Sequence, residues 1–179
     1  MEEPPYKQIP GYPDRYSPGN VISRLIDGLG YRYYWATEGL SASDLLFKPS
    51  ADARSTRETL EHICSLSEVI LNAPLGIPNI RSVDMPAMSF EVLRSQTLAN
   101  LQRASSLMAN TDEDEIARYR VVFERPGKKI EHPYWNLING PLSDAIYHTG
   151  QVVSFRRSSE NPVHPGVSVF MGKTVDSRS

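Results

Sequence analysis

Hydrophobic residues recur at intervals of three and four along four long segments, and this spacing predicts four α-helices. The predicted helices cover residues 17–38, 56–72, 89–110 and 134–158. Ser55 and Glu58 have the spacing of a capping box, which places the second helix start at residue 56. The pair Gly140-Pro141 predicts a bend in the fourth helix, because proline removes a backbone hydrogen bond.

One segment before the last helix has the character of β-strands. Tyr119–Phe123 and the stretch KKIEH flank the turn signal Arg125-Pro126-Gly127, so a short β-hairpin is predicted there. Four helices of similar length with one hairpin favour an all-α domain, a four-helix bundle.

The remaining segments contain prolines that disfavour regular secondary structure. Residues 1–16 form a predicted extended arm on the surface, residues 17–158 the bundle, and residues 159–179 an irregular tail packed on the bundle. Pro74, Gly76 and Pro78 are expected to stop the second helix, and a long loop follows over residues 74–88.

The amino-acid composition indicates which classes of protein this chain can belong to. The chain of 179 residues suits one domain, and its formal net charge of −2 gives no positive field for nucleic acid or an acidic membrane. No apolar run approaches the roughly 18 residues that span a bilayer, and the N terminus lacks a signal-peptide core. The single cysteine, Cys64, excludes an internal disulfide and fits a reducing compartment. We therefore predict a cytoplasmic protein with no nucleic-acid or membrane partner.

Candidate chemistry lies on the second and fourth helices. Asp144 and His148 are four residues apart, so they lie one above the other at the edge of the apolar face. His62 lies on the apolar flank of the second helix, where an unpaired imidazole would cost about 1–3 kcal/mol. If the two helices face each other, two imidazoles and one carboxylate form a set that suits zinc, nickel or ferrous iron.

A simpler interpretation stays open at this stage. Asp144 and His148 could pair with each other, or Asp144 could accept a hydrogen bond from a tyrosine, since a lone histidine on an apolar face is usually a core residue. Gln151 lies beside the pair. Arg156 and Arg157 could clamp the carboxylate of a ligand, although paired arginines near a helix C terminus more often cap it.

Two stretches carry a family resemblance. LEHICSLSE in the second helix and DAIYHTGQVVSFRRSSENP in the fourth are similar to the DinB/YfiT-like superfamily of metal-binding four-helix bundles. The most specific piece is the HxGQ element formed by His148, Gly150 and Gln151. The similarity extends from about Leu40 over most of the chain, and includes the Phe47-Lys48-Pro49 corner, Trp135 and the tail segment Val169-Phe170-Met171-Gly172-Lys173.

The resemblance implies a divalent metal, zinc or nickel, bound by one histidine of the second helix and two ligands four residues apart on the last. His62 and His148 match histidine positions of that pattern, and Asp144 stands where the family usually has histidine. The understood members resemble thiol-dependent transferases or isomerases, in which the metal activates a low-molecular-weight thiol. The resemblance thus implies an enzyme of that kind, or a metal-dependent hydrolase. From their positions near the site, Gln151 and Arg156 are the candidate cofactor-binding residues.

Two further expectations concern function and assembly. The alternative to an enzyme is a non-catalytic helical bundle that binds a small ligand, or a dimeric scaffold, without metal. Bundles of this family commonly pair, and the arm offers the apolar surface of Tyr6, Tyr12 and Tyr16. We therefore expect a homodimer.

Overall fold

The computed structural model describes residues 3–80 and 88–175, and this part of the chain is mainly helical. In chain order its elements are α1 (Pro18–Thr37), α2 (Ala42–Leu46), α3 (Thr56–Leu75), β1 (Asn79–Ile80), α4 (Phe90–Met108), α5 (Glu113–Ile116), β2 (Arg120–Arg125), β3 (Lys128–Pro133), α6 (Trp135–Leu137), a π-helical turn (Ile138–Leu142), α7 (Ser143–Ser158), β4 (Val167–Ser168) and β5 (Lys173–Thr174). The predicted loop 74–88 and tail 159–179 extend into residues 81–87 and 176–179, which lie outside the described residues, as do residues 1–2 of the arm.

The four long helices predicted from the sequence are confirmed. Three begin directly after a serine, Ser17, Ser55 or Ser89, whose hydroxyl accepts a hydrogen bond from the backbone N–H three residues later. Of the three residues predicted to stop α3, Gly76 does so and Pro74 does not: Pro74 lies in the last turn, where a missing N–H costs one hydrogen bond. The helix ends at Gly76, whose φ of 65° closes the C terminus.

The core lies among these helices. α1 packs against α4 and α7, and α3 packs against the same two helices. The fully buried apolar side chains come from all four: Ile26, Leu29, Leu60, Ile63, Leu98, Leu101 and Val152. The small helices α2 and α5 were absent from the sequence prediction, although Ser41 and Asp44 form a capping box at α2.

The predicted bend before α7 is confirmed. Gly140 has non-helical backbone angles (φ −97°, ψ −105°) within the π-helical turn that joins α6 to α7. Glycine adopts these angles without a Cβ clash, and Pro141 cannot donate the helical hydrogen bond. The bend separates α7, which carries Asp144 and His148, from the buried Leu137 in α6.

The predicted hairpin is confirmed as well. β2 and β3 pair antiparallel from Arg120 opposite Pro133 to Arg125 opposite Lys128, and Gly127 turns with a φ of 73°. β1 adds a parallel strand on the other side of β2. In the tail, predicted to be irregular, β4 and β5 pair over two residues. Among the described residues, no helix is long and apolar enough to cross a membrane.

The N-terminal arm lies along α1. The Tyr6 hydroxyl donates to Asp27 at 2.9 Å, and the indole of Trp35 donates to the carbonyl of Lys7 at 3.1 Å. Contrary to the expectation that the arm tyrosines are available to a partner, Tyr6 is buried within its own chain, because Gly30 leaves room for its ring. Tyr12 and Tyr16 are exposed. The homodimer stays a prediction.

Gly30→Ala is expected to destabilise the protein by about 1–3 kcal/mol, because the added methyl group would overlap the ring of Tyr6. Gly28→Ala is the matched control in the same helix. The Cβ added at this position meets only the far end of the flexible Arg32 side chain, at 3.2 Å. The substitution should therefore be neutral, or stabilise the helix by up to about 1 kcal/mol. Urea unfolding measures both, and equal losses would contradict the close packing of the arm.

Candidate metal centre

Three predicted ligands lie together between α3 and α7. His62 Nε2 is 3.1 Å from Asp144 Oδ2, and His148 Nε2 is 3.4 Å from Asp144 Oδ1. One ligand atom from each residue lies within 4.8 Å of the other two. The structure therefore brings the two imidazoles and the carboxylate predicted from the sequence into one cluster.

Packing of the two helices positions these side chains. Ile63 of α3 and Ala145 of α7, which directly follow His62 and Asp144, are fully buried. The His62 and His148 rings meet edge to face, with centroids 4.8 Å apart. The apolar contact thus fixes the relative position of the helices, and the polar side chains lie at its margin.

The cluster is partly open to solvent. The exposed fractions of the side chains are 31% for His62, 43% for Asp144 and 14% for His148. This partial exposure agrees with the predicted position of these residues at the edge of the apolar face, and of the three only His148 is largely covered. A half-exposed carboxylate keeps part of its hydration, which lowers the cost of its charge. It also leaves an approach from solvent.

Gln151 orients the His148 ring. His148 Nδ1 and Gln151 Oε1 are 2.7 Å apart, one turn along α7. With Nδ1–H donating to this oxygen, the neutral ring presents the lone pair of Nε2 towards Asp144. Two acceptors then face each other at 3.4 Å, an arrangement that a cation or a shared proton between them would stabilise. The donor set could hold a divalent metal, and Gln151 would then be the hydrogen-bonding partner that orients His148.

Cys64 is not part of this cluster. It lies two residues from His62 but is 2% exposed, on the buried side of α3. Burial raises the pKa of its thiol, so the nucleophilic thiolate is disfavoured. A thiol that reached the cluster would have to come from another molecule.

Arg156, predicted to bind a cofactor, has a different role. Its guanidinium is 4% exposed and donates to the carbonyls of Trp35, Ala36 and Glu38 at the end of α1, and to the carbonyl of Asn161. Because these contacts engage its N–H donors within the protein, the prediction that Arg156 binds a cofactor is wrong. Its exposed neighbour Arg157 has no such burial.

A hydrogen-bonded junction at the end of α7 was missed from the sequence. Asp44 of α2 accepts hydrogen bonds from Ser159 at 2.6 Å and Asn161 at 2.7 Å, and Asn161 also binds Arg156. Burial alone would raise the pKa of Asp44, but the hydrogen bonds from Ser159, Ser41 and Asn161 outweigh it and hold the pKa well below the ordinary value. The capping box at Ser41 was the one sequence signal for this carboxylate.

Comparison with protein-family models, curated proteins and solved structures finds no match to this chain. The family resemblance therefore depends on the motifs around His62 and His148.

Proposed function

We propose that this chain is a divalent-metal-binding protein with a four-helix bundle of the DinB/YfiT-like type, and that His62, Asp144 and His148 hold the metal. The observation that carries the proposal is the convergence of three ligand atoms, from helices far apart in sequence, within 4.8 Å. The identity of the ligands favours zinc or nickel, because imidazole nitrogen suits both and a carboxylate completes a common three-residue set.

The reaction class that we propose is thiol-dependent transfer or isomerisation. A divalent metal in this cluster would supply Lewis acidity and favour the deprotonated form of a bound thiol or water. The half-exposed Asp144 leaves the cluster open to an incoming ligand, and the chain's own thiol, Cys64, is buried. These features support a low-molecular-weight thiol as the second cofactor. Gln151 Oε1 lies 2.7 Å from His148 Nδ1, and in the tautomer protonated at Nδ1 the Nε2 of His148 would be available to a metal.

The alternative is a non-catalytic helical bundle without metal. The observation that favours it is the 3.1 Å distance between His62 Nε2 and Asp144 Oδ2, which is already a good hydrogen bond. In that case hydrogen bonds from the two histidines to Asp144 would link α3 to α7. The cluster would then only stabilise the fold.

Metal analysis of protein purified without a histidine tag tests the proposal. We expect one zinc or nickel ion per chain, and a rise in melting temperature when either metal is returned to chelator-treated protein. At 100 times its dissociation constant, a ligand that binds only the folded state stabilises it by about 2.7 kcal/mol. Protein that carries no metal and melts at the same temperature with and without it would support the hydrogen-bonded alternative.

A further inference from the structure

A polar cavity lies between the N-terminal arm and the helices α1 and α4. Its volume is about 510 Å³, within the range of small-molecule sites. Arm residues 10–15 form one wall, and Asn20, Ser23 and Asp27 of α1 and Ser105 of α4 line the other side. The lining includes no residue of α3 or α7, so this cavity is separate from the metal cluster.

Asp27 supplies a buried negative charge to the cavity. The residue is 7% exposed, and in the described part of the chain its hydrogen-bonding partner is the Tyr6 hydroxyl, at 2.9 Å from Oδ1. A carboxylate has about four acceptor positions, and a buried charge without a counter-ion is costly. Most of the capacity of Asp27 to accept hydrogen bonds is therefore unused within the described residues.

Arg24 and Arg15 also line the cavity, but the guanidinium of Arg24, the cation nearest to Asp27 in sequence, is bound to the arm. Arg24 precedes Asp27 by three residues on α1, a spacing at which side chains on a helix meet. Its guanidinium instead donates to the carbonyl of Pro10 at 2.7 Å and lies 4.8 Å from the centre of the Tyr12 ring. Within the described residues no ion pair forms at Asp27, and Arg24 holds the arm that walls the cavity.

Hydroxyl groups extend the acceptor surface next to Asp27. Ser23 Oγ and Ser105 Oγ are 2.8 Å apart, and Ser105 Oγ also lies 3.4 Å from the carbonyl oxygen of Ser23. Burial and the charge of Asp27 raise the pKa of Tyr6, so its phenol remains a donor to the carboxylate. One hydrogen atom lies between the two serine oxygens, which leaves oxygen lone pairs free to accept from a ligand.

We propose that this cavity binds a small organic cation that carries a primary ammonium group, with Asp27 as its counter-ion. An ammonium group has three donors and no acceptor, which matches one carboxylate beside two serine hydroxyls. The Tyr12 ring and the arm prolines provide a partly apolar wall for the organic portion of the ligand. Charge-assisted hydrogen bonds to a buried carboxylate give the preference for a charged over a neutral ligand.

Titration calorimetry on the full chain tests this proposal with 2-phenylethylamine, methylamine and the neutral analogue 2-phenylethanol. We expect 2-phenylethylamine to bind at least about tenfold more tightly than the alcohol. Asp27→Asn keeps an oxygen for Tyr6 but removes the charge, so it should abolish that preference. It should also fold as well as the original or better, because a buried charge is lost.

Two variants complete the experiment. Asp14→Asn removes an exposed carboxylate at the same cavity and should leave amine binding unchanged. Ser105→Ala removes one acceptor and should weaken amine binding, which gives an independent result if Asp27→Asn does not fold. Equal binding of amine and alcohol, unchanged binding in Asp27→Asn, or no amine binding up to about 10 mM would each overturn the proposal.

Discussion

Arg156→Ala is expected to lower the free energy of unfolding by about 3–5 kcal/mol, because it removes several hydrogen bonds at once and each buried acceptor left without a partner costs about 1–3 kcal/mol. The guanidinium donates at 3.0 Å to the carbonyl of Trp35, at 3.3 Å to that of Ala36 and at 2.8 Å to that of Glu38. These are carbonyls at the C terminus of α1, where the helix cannot satisfy them itself. Alanine would leave these acceptors without the guanidinium, and the bond to Ala36 is a buried one.

Arg157→Ala is the matched control, because the neighbouring arginine has the same charge but is exposed. Its effect should stay within about 0.5 kcal/mol. Arg156→Lys keeps the charge but lacks the planar fork that reaches several carbonyls at once, so it should recover only part of the loss. Urea unfolding measures all three, and similar stabilities of Arg156→Ala and Arg157→Ala would refute the capping role.

His148→Ala is expected to remove the stabilisation by zinc or nickel, a loss of about 2.7 kcal/mol when the metal is at 100 times its original dissociation constant. Asp144→His should keep metal binding, because it places an imidazole at the same helical position, four residues from His148. Asp144→Leu should lose affinity. Since Asp144 is 43% exposed, that variant should fold about as well as the original without metal.

The control for this series is His164→Ala, which removes an exposed histidine that contacts Trp35 and lies outside the cluster. Added metal should raise the melting temperature of this variant by as much as that of the unmodified protein. Differential scanning calorimetry with and without metal distinguishes the two interpretations. If metal leaves the melting temperature of every protein in the series unchanged, the three residues form only a hydrogen-bonded cluster.

Local patterns predicted most of the helices and the bend. The N-terminal serines, the apolar spacing and the Gly140-Pro141 pair each act within a few residues, so their effects are readable from the sequence. The meeting of His62 with Asp144 and His148 was also predictable, because one pair shares a helix face and the third residue lies on the apolar flank of another helix.

The errors have a common physical cause. The sequence suggested that Arg156 caps its own helix or clamps a ligand. Asn161, five residues later, is one of its partners, but the other three carbonyls lie 118 to 121 residues earlier in the chain. The exposure of Asp144 depends on how two helices pack, and the burial of Tyr6 depends on Gly30 in another element. Neither periodicity nor capping chemistry carries such long-range information.

The junction around Arg156 also bears on the kinetics of folding. Its hydrogen bonds join positions 115 residues apart, between Ser159 and Asp44, and 121 residues apart, between Arg156 and Trp35. Closing such long loops costs entropy, so we expect these contacts to form after the local turns of the helices. Interactions absent from the transition state act mainly on the unfolding rate. The junction would then lengthen the lifetime of the folded protein while leaving the speed of refolding almost unchanged.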